Sequence, residues 1–288
     1  MKIGFIGLGL MGEPMSLNLV KKSGHKVRVF DFDQTKVKLL LDAGAEYGES
    51  SLEIGKTCDI IFTMVPKSEH VKSVYDELLK VIKPNQILVE MSTIDPDVSI
   101  ELSKKVKEKG AVMLDCPVVK SRPAAIEGKL GIYVGGDKKA FEEIKSLLLC
   151  MGENVIYLGE NGRGLVMKLC HNALVAEIQN GVNEMLVLAE EFGIGIEDFA
   201  EAVSYGGASN FYLTAKLKSL KEQNFAPAFS LENMQKDIHC LLNLIQSKNI
   251  KLNGIENVKE IYDLSAKENL GKEDFSATIK TVKKIAKS

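Results

Sequence analysis

The chain has 288 residues, 45% hydrophobic and 26% charged, with a formal net charge of -2, the balance of an ordinary globular protein of about two domains. That charge excludes the global basic field that nucleic-acid binding calls for, and no apolar run approaches a membrane span. The cysteines (Cys58, Cys116, Cys150, Cys170 and Cys240) are scattered and never in C-x-x-C spacing, which argues against a zinc site and for a reducing, cytoplasmic setting.

The N-terminus already reads as a core strand, so no signal peptide is expected. Lys2 to Ile6 is a short buried strand, Gly7-Leu8-Gly9-Leu10-Met11-Gly12 follows, and an amphipathic helix begins there. Strand, G-x-G-x-x-G and helix in that order form the dinucleotide-binding fingerprint. Gly7 allows the tight turn, Gly9 lets backbone approach a pyrophosphate, and Gly12 lets the helix pack close to the strand. The helix N-terminus then faces the phosphates with free N–H groups and a favourable dipole. Ser23-Gly24-His25 ends the helix, and Lys26 to Phe30 alternates as a second strand. Asp31 stands at that strand's end, about 20 residues on, where a carboxylate bonds the adenosine ribose hydroxyls. A turn-capping role fits Asp31 and Asp33 as well.

Gln34 to Ala43 reads as a helix stopped by Gly44. Asp59 to Val65 is a near-continuous apolar run, as expected of a parallel strand covered on both faces. Pro66 stops it, and Met64, Val65 and Pro66 are expected at the cofactor. Ser68 to Ile82 is helical, Gln86 to Met91 is a strand ending in Ser92-Thr93, and Asp95-Pro96 opens a helix to about Glu108. Ala111 to Asp115, Leu130 to Val134 and Asn154 to Leu158 read as strands, with a helix over Lys138 to Leu149. Strands alternating with helices predict a Rossmann-type α/β domain with a mostly parallel sheet.

The pattern changes after Gly159. Leu165 to about Phe192 lacks proline and repeats apolar residues at helical spacing, a helix of roughly 40 Å. That is too long for one small core, so it should bridge to a second domain or partner. Helices then fill the remainder. The expected division is residues 1–161, dinucleotide-binding, and 162–288, an all-α substrate and oligomerisation domain joined by the long helix.

Two constellations stand out. Lys168 and Asn172 are four residues apart, hence on one helix face, with His171 beside them. A lysine near a nicotinamide can protonate a carbonyl oxygen or take the proton back, and Asn172 can hold the substrate. On spacing alone, a solvated lysine on a charged helix fits the same residues. The second is Asp115-Cys116-Pro117-Val118-Val119-Lys120-Ser121-Arg122-Pro123, after a strand end where open α/β sheets bind ligands. Lys120, Ser121 and Arg122 suit an anionic group, while a solvated loop is the plainer reading.

The stretch Gly7 to Leu19 resembles the signature of the β-hydroxyacid dehydrogenases, whose members include 3-hydroxyisobutyrate dehydrogenase and the tartronate semialdehyde, succinic semialdehyde, glyoxylate and sulfolactaldehyde reductases. The likeness covers almost the whole chain. Glu90-Met91-Ser92-Thr93 looks like the strand end that touches the nicotinamide. Asp115 to Val118, continuing through Gly128 to Leu130, resembles the substrate-binding loop. Gly162 to Lys168 resembles the catalytic-lysine helix, and Phe229 through Lys236-Asp237 the element that closes the site. The resemblance implies an NAD-dependent oxidoreductase of small anionic semialdehydes or β-hydroxyacids. It implies catalytic Lys168; substrate contacts at Val119, Lys120, Ser121 and Asn172; cofactor contacts at Thr93 and Lys236; no metal; and a homodimer or homotetramer. Val119 replaces the family's usual serine, Lys120 its glycine, and His171 the first of two asparagines. A cation at Lys120 would suit a sulfonate as well as a carboxylate. Imine reduction and a non-catalytic dinucleotide-binding module are the rivals, and Lys168 counts against both. Asp31 followed by Phe32 rather than arginine points to NAD(H) over NADP(H).

Overall fold

A computed structural model describes residues 1–287. The chain divides into two compact units, Met1–Lys168 and a second running from Leu169 through the remaining described residues.

In the first unit the elements run β1 (Lys2–Ile6), α1 (Gly12–Lys22), β2 (Lys26–Phe30), α2 (Lys38–Asp42), β3 (Glu46–Tyr47), α3 (Ser51–Thr57), β4 (Ile60–Thr63), α4 (Ser68–Leu78), β5 (Ile87–Glu90), α5 (Pro96–Glu108), β6 (Val112–Asp115), β7 (Val118–Val119), α6 (Arg122–Glu127), β8 (Leu130–Val134), α7 (Lys138–Met151) and β9 (Gly152–Tyr157). Six strands form a parallel sheet in the order β3-β2-β1-β4-β5-β6. This is the doubly wound order, and ligands bind it in the crevice beyond the strands' C-terminal ends. Strand residues alternate between two cores: Ile3, Phe5, Phe62 and Val89 pack on one face, and Ile6, Ile61, Leu88 and Met113 on the other. Burial on both faces explains why the strands read as continuous apolar runs.

The expected helix over Gln34 to Ala43 is instead a 3₁₀ turn, Gln34–Val37, followed by α2. Asp33 accepts from the Thr35 N–H at 3.1 Å and tightens the first turn. The strands after Asp115 also leave the main sheet: β7, β8 and β9 form a second one, with β7 antiparallel to β8 and β8 parallel to β9. Two-residue strands such as β3 and β7 are too short to show a period.

The long helix, α8 (Arg163–Glu191), has 29 residues. The division into compact units falls inside it, after Lys168, and Leu165 is buried in the first unit's core with Ile6 and Phe30. The second unit is helical: the rest of α8, then α9 (Ile196–Ser204), α10 (Phe211–Glu222), α11 (Leu231–Ser247), α12 (Asn253–Lys267) and α13 (Thr278–Ile285). Its core holds Leu169, Ala173 and Ala176 of α8 against Met234, Ile238 and Tyr262. Among the described residues, no helix is long and apolar enough to cross a membrane.

Candidate active site

The glycine fingerprint is built by steric need. Gly7 has φ +96°, and a Cβ there would lie 2.3 Å from the Met64 carbonyl oxygen. A Cβ on Gly12 would lie 2.0 Å from the Gly7 carbonyl. Gly9 differs: a Cβ there would meet nothing within 4 Å. The protein itself therefore does not require glycine at this position, whereas a closely approaching pyrophosphate does. Met11, at the N-cap of α1, makes no side-chain capping bond, so the helix start is available to an anion. Leu8 is buried and Leu10 exposed.

Asp31 closes this turn. Its Oδ2 accepts from the Leu8 N–H at 2.6 Å and its Oδ1 from the Asp33 N–H at 2.8 Å. Lys36 Nζ stands 3.6 Å from the same Oδ1. The carboxylate thus fixes the loop, and Lys36 is a cation that the sequence did not bring to notice. These residues fit a dinucleotide: a glycine with open space before it, an uncapped helix start and an adjacent acidic side chain.

The ends of β4 and β5 are joined beside this loop. Val65 N–H donates to Ser92 Oγ at 2.8 Å, and Ser92 N–H donates to Glu90 Oε1 at 2.8 Å. Glu90 Oε2 accepts a short bond from the Thr63 hydroxyl. Met64 and Val65 are half-buried, Pro66 is exposed and Thr93 half-buried. Glu90 is 0% exposed, and burial pushes its carboxyl up to about 7, against the pull of the Ser92 and Thr63 bonds.

Asp115, next to Glu90 in the sheet register, is equally buried. Its Oδ1 accepts from the Gly162 N–H at 2.7 Å and its Oδ2 from the Leu165 N–H at 2.9 Å. A carboxylate from the end of β6 therefore caps the first turn of α8, the helix that carries Lys168. Gly164 follows from this contact, since a Cβ there would lie 2.8 Å from Asp115 Oδ2. Burial raises the Asp115 carboxyl, and the backbone N–H bonds pull it back. Lys168 is 8% exposed.

The loop after β6 is less open than expected. Val119 is buried in β7. Lys120 holds φ +78°, a left-handed backbone that glycine adopts without strain. Its ammonium lies 2.6 Å from Glu153 Oε1 and 2.7 Å from the Lys129 carbonyl. The ammonium expected at a substrate anion is thus paired with Glu153 in a half-exposed ion pair. Arg122 is likewise bound to Glu13, at 2.8 Å. Ser121 takes the N-cap position of α6 without a side-chain capping bond.

Within the second unit, Asn172 Nδ2 donates to Asp237 Oδ2 at 2.6 Å, and Lys236 Nζ lies 2.8 Å from Asp237 Oδ1. Asp237 is 2% exposed and Asn172 5%. Asp237 therefore orients both the asparagine amide and the lysine.

Residues 2–159 match the family model described as the NAD binding domain of 6-phosphogluconate dehydrogenase, and residues 162–282 that described as NAD-binding of NADP-dependent 3-hydroxyisobutyrate dehydrogenase. Glyoxylate/succinic semialdehyde reductase 1 of Arabidopsis thaliana is 32% identical, over 98% of this chain and 99% of the relative. The 2-hydroxy-3-oxopropionate reductase of Escherichia coli is 31% identical, over 99% and 98%. The solved structure of Mycobacterium tuberculosis 3-hydroxyisobutyrate dehydrogenase with L-serine superposes with a TM-score of 0.91 at 28% identity, covering 98% of both chains.

The chain belongs to the β-hydroxyacid dehydrogenase family. It is an oxidoreductase, and NAD(H) is its cofactor. Asp31, Glu90 and Asp115 are the carboxylates that hold the glycine loop, the ends of β4 and β5 and the start of α8.

Glu90 makes stability pH-dependent with a definite sign. Its folded-state value, about 7, lies above the ordinary 4.5, so the fold favours the protonated form. That stabilisation is complete below about 4.5 and is lost as pH rises through about 7. Thermal unfolding followed across this window should show the melting temperature falling, and Glu90→Gln should flatten the fall. An unchanged slope in the variant would contradict this assignment.

Proposed function

We propose that the chain interconverts a small anionic semialdehyde and its β-hydroxyacid, with Lys168 as general acid in reduction and general base in oxidation. The observation that carries this reading is a lysine only 8% exposed, in the second turn of a helix whose start a buried carboxylate caps at the sheet's C-terminal edge. The dinucleotide, when bound, supplies the hydride in reduction and takes it up in oxidation. The Lys168 ammonium gives its proton to the carbonyl oxygen as the carbonyl carbon is reduced. The carbonyl π pair forms the new O–H bond, and the amine left behind regains a proton from water.

Asn172 follows one turn along the same helix. Asp237 takes one of its amide hydrogens, leaving the second hydrogen and the carbonyl oxygen for a substrate hydroxyl or carboxylate. Val119, Lys120 and Ser121 enter as the backbone wall of the substrate loop, and Lys236 as a cation held by Asp237. The sulfonate alternative drew on an open cation at Lys120; with that ammonium on Glu153, the sulfonate reading loses the feature that suggested it, and carboxylate and sulfonate are separated by the substrate panel. Asp31 favours NAD(H) over NADP(H), because its carboxylate repels a 2′-phosphate. The free cysteines fit a reducing, cytoplasmic setting.

NADH oxidation should be measured against succinic semialdehyde, tartronate semialdehyde, glyoxylate and sulfolactaldehyde, with NADPH as the poorer donor. Lys168→Ala should lower turnover by about 10²–10⁴-fold while NADH still binds; near-normal turnover would refute the role.

A homo-oligomer formed through the helical unit belongs to the same proposal. Leu174, Ile178, Met185 and Leu188 recur at helical spacing on α8, and they are 56%, 36%, 51% and 51% exposed, while α9 buries none of its residues. A row of exposed apolar side chains along one helix is the kind of surface that a second copy can cover. Light scattering should give a dimer or tetramer mass, and Leu174→Glu with Met185→Glu should reduce it. A single-chain mass for the unaltered protein would overturn the proposal.

A further inference from the structure

The crevice of a doubly wound sheet receives a dinucleotide in two halves: the adenosine side at β1 to β3 and the nicotinamide side at β4 to β6. The glycine loop and Asp31 serve the first half. In the second half, the Met64–Pro66 and Ser92–Thr93 segments meet where the Ser92 hydroxyl accepts from the Val65 N–H, and Ser92 must itself be held for that contact to set their spacing. They leave different strands, and short loops at strand ends open readily unless tied.

Glu90 ties them. It is the last residue of β5, fully buried, and paired in register with Thr63 on one side and Asp115 on the other. One carboxyl oxygen receives the Thr63 hydroxyl at the end of β4, and the other receives the Ser92 N–H at 2.8 Å. Ser92 passes the tie on: its Oγ accepts from the Val65 N–H at 2.8 Å. The chain of bonds therefore runs from β4 through Glu90 and Ser92 to the loop that follows β4. It survives a change of protonation. A protonated Glu90 can donate to Thr63 Oγ1, whose own hydrogen then turns to the Val89 carbonyl 3.5 Å away. The titratable groups around Glu90 are Asp115 at the end of β6, Cys116 just after it and Tyr75 on α4, all buried. None of them bridges the two loops.

We propose that Glu90, acting through Thr63 and Ser92, is the positioning residue of the nicotinamide half of the site, setting the Met64–Pro66 and Ser92–Thr93 segments at the spacing that the nicotinamide riboside requires. Glu90 touches neither cofactor nor substrate in this role. The inference rests on reading Met64, Val65, Pro66 and Thr93 as cofactor contacts.

Its signature is a loss confined to half of the ligand. ADP-ribose presents the adenosine and diphosphate but no nicotinamide, so its binding depends on the glycine loop and Asp31 alone. Titration calorimetry should be run with NADH and with ADP-ribose on the unaltered chain and on Glu90→Ala, Ser92→Ala and Glu90→Gln. Glu90→Ala and Ser92→Ala should weaken NADH by about tenfold, the worth of one lost ordering bond, and leave ADP-ribose unchanged. Glu90→Gln keeps an acceptor for Ser92 and a donor for Thr63, and should bind both ligands as the unaltered chain does. Should Glu90→Ala fail to fold, Ser92→Ala decides alone, since it removes one hydroxyl and frees one N–H. Equal losses for both ligands, or none, would overturn the positioning role, as would a glutamine variant as weak as the alanine one. An unaltered chain that binds neither ligand would refute the cofactor-site reading itself.

Discussion

Asp115 is the contact on which the site depends. A buried carboxylate at the end of β6 accepts the Gly162 and Leu165 N–H groups and so fixes where α8 begins. Helix starts leave N–H groups unsatisfied, and burying one beside a carboxylate costs little only if the two meet. The pairing leaves α8 a single compatible register. Lys168 then takes its position from the cap rather than from its own flexible side chain. Gly135 and Gly164 follow from the same contact, because a Cβ at either would press on an Asp115 oxygen.

Thr63, Glu90 and Asp115 stand side by side in the sheet register, at the C-terminal ends of β4, β5 and β6. Parallel strands direct these ends to one edge, and the doubly wound order opens a crevice there. Each polar end residue is spent on holding this edge together: Thr63 bonds Glu90, Glu90 holds the Ser92 N–H of the loop after β5, and Asp115 holds the start of α8. Two buried carboxyls as neighbours are costly. Burial first, and Asp115 beside it to a smaller degree, raise the Glu90 carboxyl to about 7 against its backbone and hydroxyl partners. The second unit repeats the device, with Asp237 buried under Asn172 and Lys236.

What was legible in the sequence was what depends on local spacing. The Gly7 to Gly12 fingerprint, Asp31 at the end of β2 and the long proline-free helix each follow from steric or periodic rules that act within a few turns. The two-domain architecture followed from the switch between alternating and purely helical patterns. The carboxylate contacts were not legible. Asp115 meets its partners 47 and 50 residues away, and Lys120 meets Glu153 33 residues away. Nothing in the local composition marks Glu153 as the neutraliser of Lys120. Asp115 read as the start of a substrate loop because a strand end and a proline fit that role equally well. The run Gly162-Arg163-Gly164 ahead of an apolar helix was the one available sign of a cap supplied from elsewhere in the fold.

The most direct measurement is the turnover of Asp115→Asn, taken with NADH and the best acidic semialdehyde at a temperature where the variant stays folded. The amide turns one acceptor into a donor facing an N–H, so the start of α8 loosens while the glycine loop is untouched. Turnover should fall by at least about tenfold with NADH affinity unchanged. A folded variant that turns over at the unaltered rate would contradict the dependence of Lys168 on this cap.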